Sequence, residues 1–188
     1  MSIGLSGAER GLAAAKISIT NKLLRSVWQV VWLILYRTSP VPLHIWRRFL
    51  LRLFGASIAR GSHPYPSCRI WAPWNLTMEE NSCLGHGVIC YNVGKITLRE
   101  GATISQNAHL CGATHDYRSA AFDLYSGDIE IGKYAWVCAD AFIGPGINVA
   151  DKSVINARAV LLSDTGKEEV YSGNPAVKVR MRYRNESI

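Results

Sequence analysis

The segment CGATHDYR, residues 111–118, sets an imidazole, a carboxylate, a phenol and a guanidinium at four successive positions: His115, Asp116, Tyr117 and Arg118. An unperturbed imidazole titrates near ~6.5 and is largely neutral at neutral pH, so it can accept a proton. His115 is therefore a candidate general base; the competing reading of a single histidine is a structural or solvated residue. His109 lies six residues earlier, His86 further back, and His44 and His63 are N-terminal and read as structural. Five cysteines, an odd number with no CxxC pair, give neither a disulfide framework nor a zinc cluster and point to a reducing compartment. No Ser or Cys stands beside a base in an activated context, so any group transfer is expected to be direct, without a covalent enzyme intermediate.

These residues sit on a chain with an unusual beat. From Ile131 an aliphatic residue recurs every sixth position: Ile131, Val137, Ile143, Val149, Ile155, Leu161. Earlier runs share it: Ile58, Pro64, Ile70, Leu76; then, after a two-residue skip, Met78, Leu84, Cys90, Ile96; and after another skip, Leu98, Ile104, Leu110. A stride of six is neither helical nor simply strand-like. It fits short strands joined by tight corners and stacked coil on coil, with compact residues such as Ala102, Ala108, Ala135, Ala141, Ser153 and Ala159 in the corners. An excursion over about 115–128 interrupts the beat, and His115 stands where the prism meets it. His109 and His115 fall on consecutive faces. Zinc ligands must converge within ~2.0–2.1 Å of one point, so a zinc site built from His86, His109 and His115 is the weaker reading.

Residues 1–57 read differently. Residues 1–20 are rich in Gly, Ala and Ser and are expected to be loose. KLLRSVWQVVWLILYR (22–37) is helical but too short in its apolar run to span a bilayer, which needs about twenty residues. It also lacks the cleavage site of a secretory signal. SPVP (39–42) breaks the chain. PLHIWRRFLLRLFG (42–55) predicts an amphipathic helix with Ile45, Phe49, Leu50 and Leu53 on one face and Arg47, Arg48 and Arg52 elsewhere. The formal net charge of +7 is uneven: residues 1–60 hold nine Lys/Arg against one acid, the remainder twelve against thirteen. The basic segment either packs on the body or a neighbouring subunit, or touches an anionic membrane leaflet. Nucleic acid is disfavoured, because no recognition helix, finger or RNP-like motif accompanies the charge.

The beat, the excursion after CGATHD and the ending SGNPAVKVR (172–180) resemble the hexapeptide-repeat acyltransferases. WAPWNLTM (71–78), ITLREGATISQNAHLCGATHDYR (96–118) and AWVCADAFIGPGINV (135–149) look closest to the O-acetyltransferases of colanic acid biosynthesis. The resemblance implies an all-β fold: a left-handed parallel β-helix over 58–188, preceded by an N-terminal helical segment, 1–57, and ending in a short tail. That hand runs against the usual right-handed crossover. It also implies a homotrimer with active sites in the clefts between prisms, and no metal. The expected activity is acetyl-CoA-dependent O-acetylation of an exopolysaccharide sugar, free or lipid-linked, in the cytoplasm or at the inner face of its membrane. Alternatives are a small free acceptor (an antibiotic, thiogalactoside or serine), a zinc-dependent β-helix protein of the carbonic-anhydrase type, or a non-catalytic scaffold.

By the same resemblance His115 matches the catalytic base. Trp136 and Ala139 match positions beside the pantetheine or thioester, and Ala157 one whose backbone contacts that arm. In VKVRMRYR (177–184) an extended chain would align Lys178, Arg180, Arg182 and Arg184 for the nucleotide phosphates, with Lys178 and Arg180 the better matches. Tyr91, Asn92, Asp116, Tyr117 and Arg118 are the acceptor candidates, and Asp116 either orients His115 or caps a turn. LLSD (161–164) and GNPAV (173–177) depart from the family's usual V-T-K-D and GNPAK, removing or moving a hydroxyl and a basic contact.

Overall fold

The structure is a computed structural model and describes residues 12–183. From Ser57 to Leu161 the chain winds through a left-handed prism with three parallel sheets. Face one holds Ser57–Ile58, Leu76–Met78, Ile96–Leu98, Ile129–Ile131 and Asn148–Val149. Face two holds His63–Pro64, Cys83–Leu84, Thr103–Ile104, Trp136–Val137 and Val154–Ile155, and is extended by Glu169–Gly173 and Ala176–Met181. Face three holds Arg69–Ile70, Ile89–Tyr91, His109–Cys111, Phe142–Ile143 and Val160–Leu161. The six-residue beat is the inward column of each face: Leu84 lies under Ile104, Ile104 under Val137, and Val137 under Ile155, all fully buried. The two-residue skips also have a cause. The face-one strands 76–78 and 96–98 are a residue longer, and strand alternation turns both ends inward, so Leu76 and Met78, like Ile96 and Leu98, are buried together.

Corners repeat as strictly as strands. The third residue after nearly every inward aliphatic takes a left-handed backbone, as at Gly61, Asn81, Gly87, Gly101, Asn107, Tyr134, Asp140, Gly146, Lys152 and Arg158, and Gly, Asn and Asp are the residues that tolerate it best. The residue after it is small and buried, as at Ala102, Ala108, Ala135, Ala141 and Ala159. At Gly87 φ is 67°, and a Cβ would meet only the movable Asn107 Oδ1 of the next coil, so the left-handed backbone is what favours glycine there.

The ladder has a direction. Ala59, Tyr65 and Trp71 N–H groups donate to the carbonyls of Met78, Leu84 and Cys90 one coil on. Carbonyls of the first coil therefore lack a rung beneath them, and orphaned backbone acceptors are costly. The N-terminal helices supply the donors. Helix α1 (Ile19–Val31) continues as one π-helical turn, Trp32–Tyr36, and α2 spans His44–Leu53. Arg52 Nε donates to Ile58 O (2.9 Å), Arg48 Nη1 to Ser62 O (2.8 Å) and Arg47 Nε to Pro64 O (2.7 Å). Trp32 and Trp28 Nε1 donate to Cys68 O (2.9 Å) and Ile70 O (2.7 Å). Arg and Trp side chains only donate, which suits an end that presents only acceptors. Trp28, Tyr36, Leu50 and Leu51 join the same apolar core as Ile58 and Ile70.

Helix α2 is amphipathic as expected, with Ile45, Phe49 and Leu53 on one face, but Leu50 leaves that face. Arg47 and Leu50 are buried together with Leu51, while Ile45, Phe49 and Leu53 point outward, 74 %, 53 % and 68 % exposed. The physical reason is the carbonyl end of the prism: the guanidinium also serves Ser39 Oγ, Pro40 O and Val41 O. Residues 12–15 are not loose either. Leu12 is buried, and Ala13–Ala14 pairs antiparallel with Leu124–Ser126, which pairs in turn with Ala113–His115; residues 1–11 lie outside the described residues. No helix among the described residues is long and apolar enough to cross a membrane.

Candidate active site

His115 ends the strand Ala113–His115, beyond face three, where Gly112 turns the chain out of the prism. Its ring is exposed and lies flat on Phe122, centroids 4.3 Å apart at 9°. Nδ1 is 2.8 Å from the Phe122 carbonyl. A carbonyl only accepts, so Nδ1 carries the proton and Nε2 keeps its lone pair. Phe122 reaches this position with φ 49°, a conformation that costs a non-glycine residue roughly 1 kcal/mol or more and recurs at functional sites. The loop beneath is closed by its own bonds: Asp116 N to Asp123 O, Phe122 N to Ser119 O and Ser119 Oγ to Asp123 Oδ2. Asp116 does not orient His115; its Oδ1 accepts from Arg118 N at 3.0 Å, an Asx turn, with the Arg118 Nε 4.0 Å away. Tyr117 and Arg118 are exposed on this loop.

The three residues expected along the coenzyme share one place. Trp136, Ala139 and Ala157 line a groove of about 590 Å³ on face two and its corner with face three, together with Ser105, Gln106, Cys138, Asn156 and Ser172. Trp136 Nε1 donates to Ser105 Oγ at 2.8 Å, which fixes the indole across the rung. Beyond Trp136 a hollow of about 340 Å³ continues past Gly101, Thr103 and Tyr134 to Arg182. The basic tail is less regular than an extended strand predicts. Lys178 sits opposite Tyr171 and Arg180 opposite Val170, with a bulge between them, so alternation is interrupted. Lys178 Nζ meets Glu169 Oε1 at 2.5 Å, Arg180 is exposed, and Arg182 Nη1 turns back to the carbonyls of Tyr134 and Lys152. Arg184 lies outside the described residues.

The acceptor candidates divide. Asn92 is fully buried, its amide taken at both ends by Ala72 N and O (3.0 and 2.6 Å), so it staples a corner and does not face a ligand. Tyr91 packs edge-on against Trp71 at 5.6 Å and lines a cavity of about 300 Å³ between α1 and face three, with Gln29, Trp32 and Arg69. Burial, and then the Cys111 sulfur, push its phenol up, so it stays a neutral donor. Burial raises all five thiols, Cys68 to about 12, which leaves no ready thiolate nucleophile. His86, at the corner below Gln106, bonds Ser67 Oγ at 3.0 Å; His109 packs on Phe142 at 5.3 Å, and burial lowers its pKa. Among the described residues no three His, Cys, Asp or Glu side chains converge to hold a metal ion. Phe122 and Ser105 escaped the sequence reading, because neither a donated carbonyl nor a cross-rung hydroxyl leaves a pattern in spacing.

No protein-family model matches the chain. A putative colanic acid biosynthesis acetyltransferase, WcaF, of Escherichia coli K12 is 36 % identical over 166 residues, covering 88 % of this chain and 91 % of that protein. Among solved structures, a maltose O-acetyltransferase from Clostridium difficile 630 superposes with a TM-score of 0.79 at 21 % identity, covering 96 % of this chain and all of the other. A hexapeptide-repeat acetyltransferase from Vibrio cholerae, solved with acetyl-coenzyme A, gives 0.78 at 19 % identity, covering 89 % and 91 %. The coil, its corners and a near-full-length relative agree, and the chain belongs to the hexapeptide-repeat acetyltransferases, with the colanic acid biosynthesis enzymes among its relatives.

Proposed function

We propose that the protein transfers the acetyl group of acetyl-coenzyme A to a hydroxyl of an exopolysaccharide saccharide, with His115 as general base. One observation carries the assignment: the Phe122 carbonyl holds His115 Nδ1–H at 2.8 Å, which leaves Nε2 as the acceptor nitrogen on an exposed ring. Nε2 takes the hydroxyl proton as the sugar oxygen attacks the thioester carbonyl; the carbon–sulfur bond then breaks, and the proton passes from the imidazolium to the departing sulfur. Because the thiols are protonated, transfer goes directly to the sugar. Trp136, Ala139 and Ala157 would flank the pantetheine in the face-two groove, and Lys178 and Arg180 would meet the nucleotide phosphates. Tyr91 beside Trp71, with Arg69 and Gln29, offers a sugar an aromatic wall and polar edges, and Asp116, Tyr117 and Arg118 would border the acceptor at His115.

On one chain the groove lies at the edge between faces two and three, whereas His115 leaves from the opposite edge of face three. This supports a homotrimer, in which the base of one prism meets the groove of the next. In this reading residues 58–188 form the catalytic domain. Residues 1–57 form a helical segment whose stretch 22–55 keeps the enzyme at the membrane surface near lipid-linked acceptors.

The test uses labelled acetyl-coenzyme A with lipid-linked oligosaccharides and, as a soluble comparison, maltose. The expected result is a base-labile ester on the lipid-linked sugar and a loss of about 10²–10⁴-fold in His115→Ala with coenzyme A binding intact. Unchanged turnover in that variant removes His115 as the base, and equal kcat/KM for maltose removes the lipid-linked acceptor.

A further inference from the structure

We infer that the outer face of the two N-terminal helices seats on an anionic lipid bilayer, with the first coil of the prism toward the membrane. On α2, Ile45, Phe49 and Leu53 recur every fourth residue and form one outward stripe; on α1, Leu23, Val27 and Val30 form another. Trp46 stacks on Phe49 at 5.8 Å and donates Nε1–H to the Leu35 carbonyl, tying α2 to the π-helical turn that continues α1. Leu50 and Leu51 already fill the inward face beside the donors Arg47, Trp28 and Trp32, so these outward aliphatic side chains are a second apolar face that the body leaves uncovered. An apolar surface of this extent rarely stays uncovered.

Charge selects the occupant. Between Glu9 and Glu79 the sequence contains no Asp or Glu, so no carboxylate within the cap neutralises it. Lys16, Lys22 and Arg37 are exposed, and Arg52, whose guanidinium serves the Ile58 carbonyl, adds a further positive charge near the end of α2. A second copy of the cap would bring like charge to like charge. A phosphate backbone would neutralise the cations but leave the aliphatic side chains uncovered. An anionic bilayer matches both, with headgroups at the basic rim and acyl chains under the stripes, and the helices lie in the interface plane.

This deepens the membrane-surface part of the function proposed above, and the two fail separately: vesicle binding needs no acetyl-coenzyme A, and acetylation of a soluble acceptor needs no vesicle. The experiment is flotation of the full-length protein with vesicles of phosphatidylcholine alone or mixed with phosphatidylglycerol. Binding is expected on the mixed vesicles, weakened tenfold or more in Ile45→Ser/Phe49→Ser/Leu53→Ser and roughly fivefold in Lys22→Gln, the effect of one cation near such a surface. Lipid-borne quenchers should also dim the tryptophan fluorescence of the unaltered protein, and Trp46→Phe should remove part of that quenching, a readout independent of whether the triple variant folds. Failure of the unaltered protein to float overturns the proposal. So does a folded triple variant that floats equally well, or one that loses only oligomer mass, which would make the face a contact between copies.

Discussion

The cap, Leu12 to Ala56, and the prism, Ser57 onward, solve burial in opposite ways. In the prism the aliphatic columns are inside and the charges pair on the surface: Arg99 bridges Glu79 and Glu130 at 2.8 and 2.9 Å, linking three coils. In the cap the inward face carries donors beside the buried Leu50 and Leu51, and the outward face still carries Leu, Ile and Phe. The difference follows from ladder direction. Interior coils bond above and below, so their side chains need only fill space. The first coil ends in bare carbonyls, so whatever covers it must donate, and Arg47, Arg48, Arg52, Trp28 and Trp32 do. The basic N-terminal segment is thus first a structural requirement, and its exposed remainder is what is left to meet a membrane.

The contrast breaks first at the catalytic histidine. His115→Ala should cost about 10²–10⁴-fold in kcat without moving Tm, whereas Ile45→Ser/Phe49→Ser/Leu53→Ser should leave kcat on a soluble acceptor unchanged; equal kcat losses in both would merge the two regions functionally. Next is the buried guanidinium. Arg47→Met removes the donor to the carbonyls of Pro40 and Val41, leaves Pro64 O only His44 Nδ1, and should destabilise by about 2–4 kcal/mol, read by denaturant unfolding, while Arg60→Met should cost about 0.5 kcal/mol or less.

A smaller effect tests the arm that joins the regions. Ala15 N–H donates to Leu124 O at 2.9 Å, and Leu124 pairs with His115. Ala15→Pro removes that donor and should lower kcat about 3–10-fold, with roughly 1 kcal/mol lost in stability. The smallest is a pH difference. Desolvation lowers the His44 pKa, so the folded cap resists protonation; its contribution is complete above the ordinary imidazole range near ~6.5 and fades as pH falls below it. The Arg99 hydrogen bonds lower the Glu79 pKa, so its contribution is complete above the ordinary glutamate value near ~4.3 and fades only below that. His109, also lowered by burial, shares the His44 window from within the prism. Comparing unfolding of His44→Gln and His109→Gln between pH 7 and pH 5 should show the cap's share disappear only in the first.

The stride of six was legible because each coil repeats one environment, so Ile131 to Leu161 could be read as a column without knowing its neighbours. The corner alanines were legible for the same reason. His115 and the trio Trp136, Ala139 and Ala157 could be singled out through the family resemblance, and the trio does meet in one groove. Asn92 misled because a buried amide and a ligand-facing amide look alike in sequence. Leu50 misled because spacing groups it with Ile45, Phe49 and Leu53, whereas the helix turns it, beside Arg47, onto the first coil.

The coil is written in the residues, since a periodic steric demand recurs at every sixth position. Tertiary structure alone decided which side of the cap faces inward and which nitrogen of His115 carries the proton. Both depend on where single carbonyls point, those of the first coil and that of Phe122. A carbonyl's direction is a property of the folded backbone, which no side-chain pattern encodes.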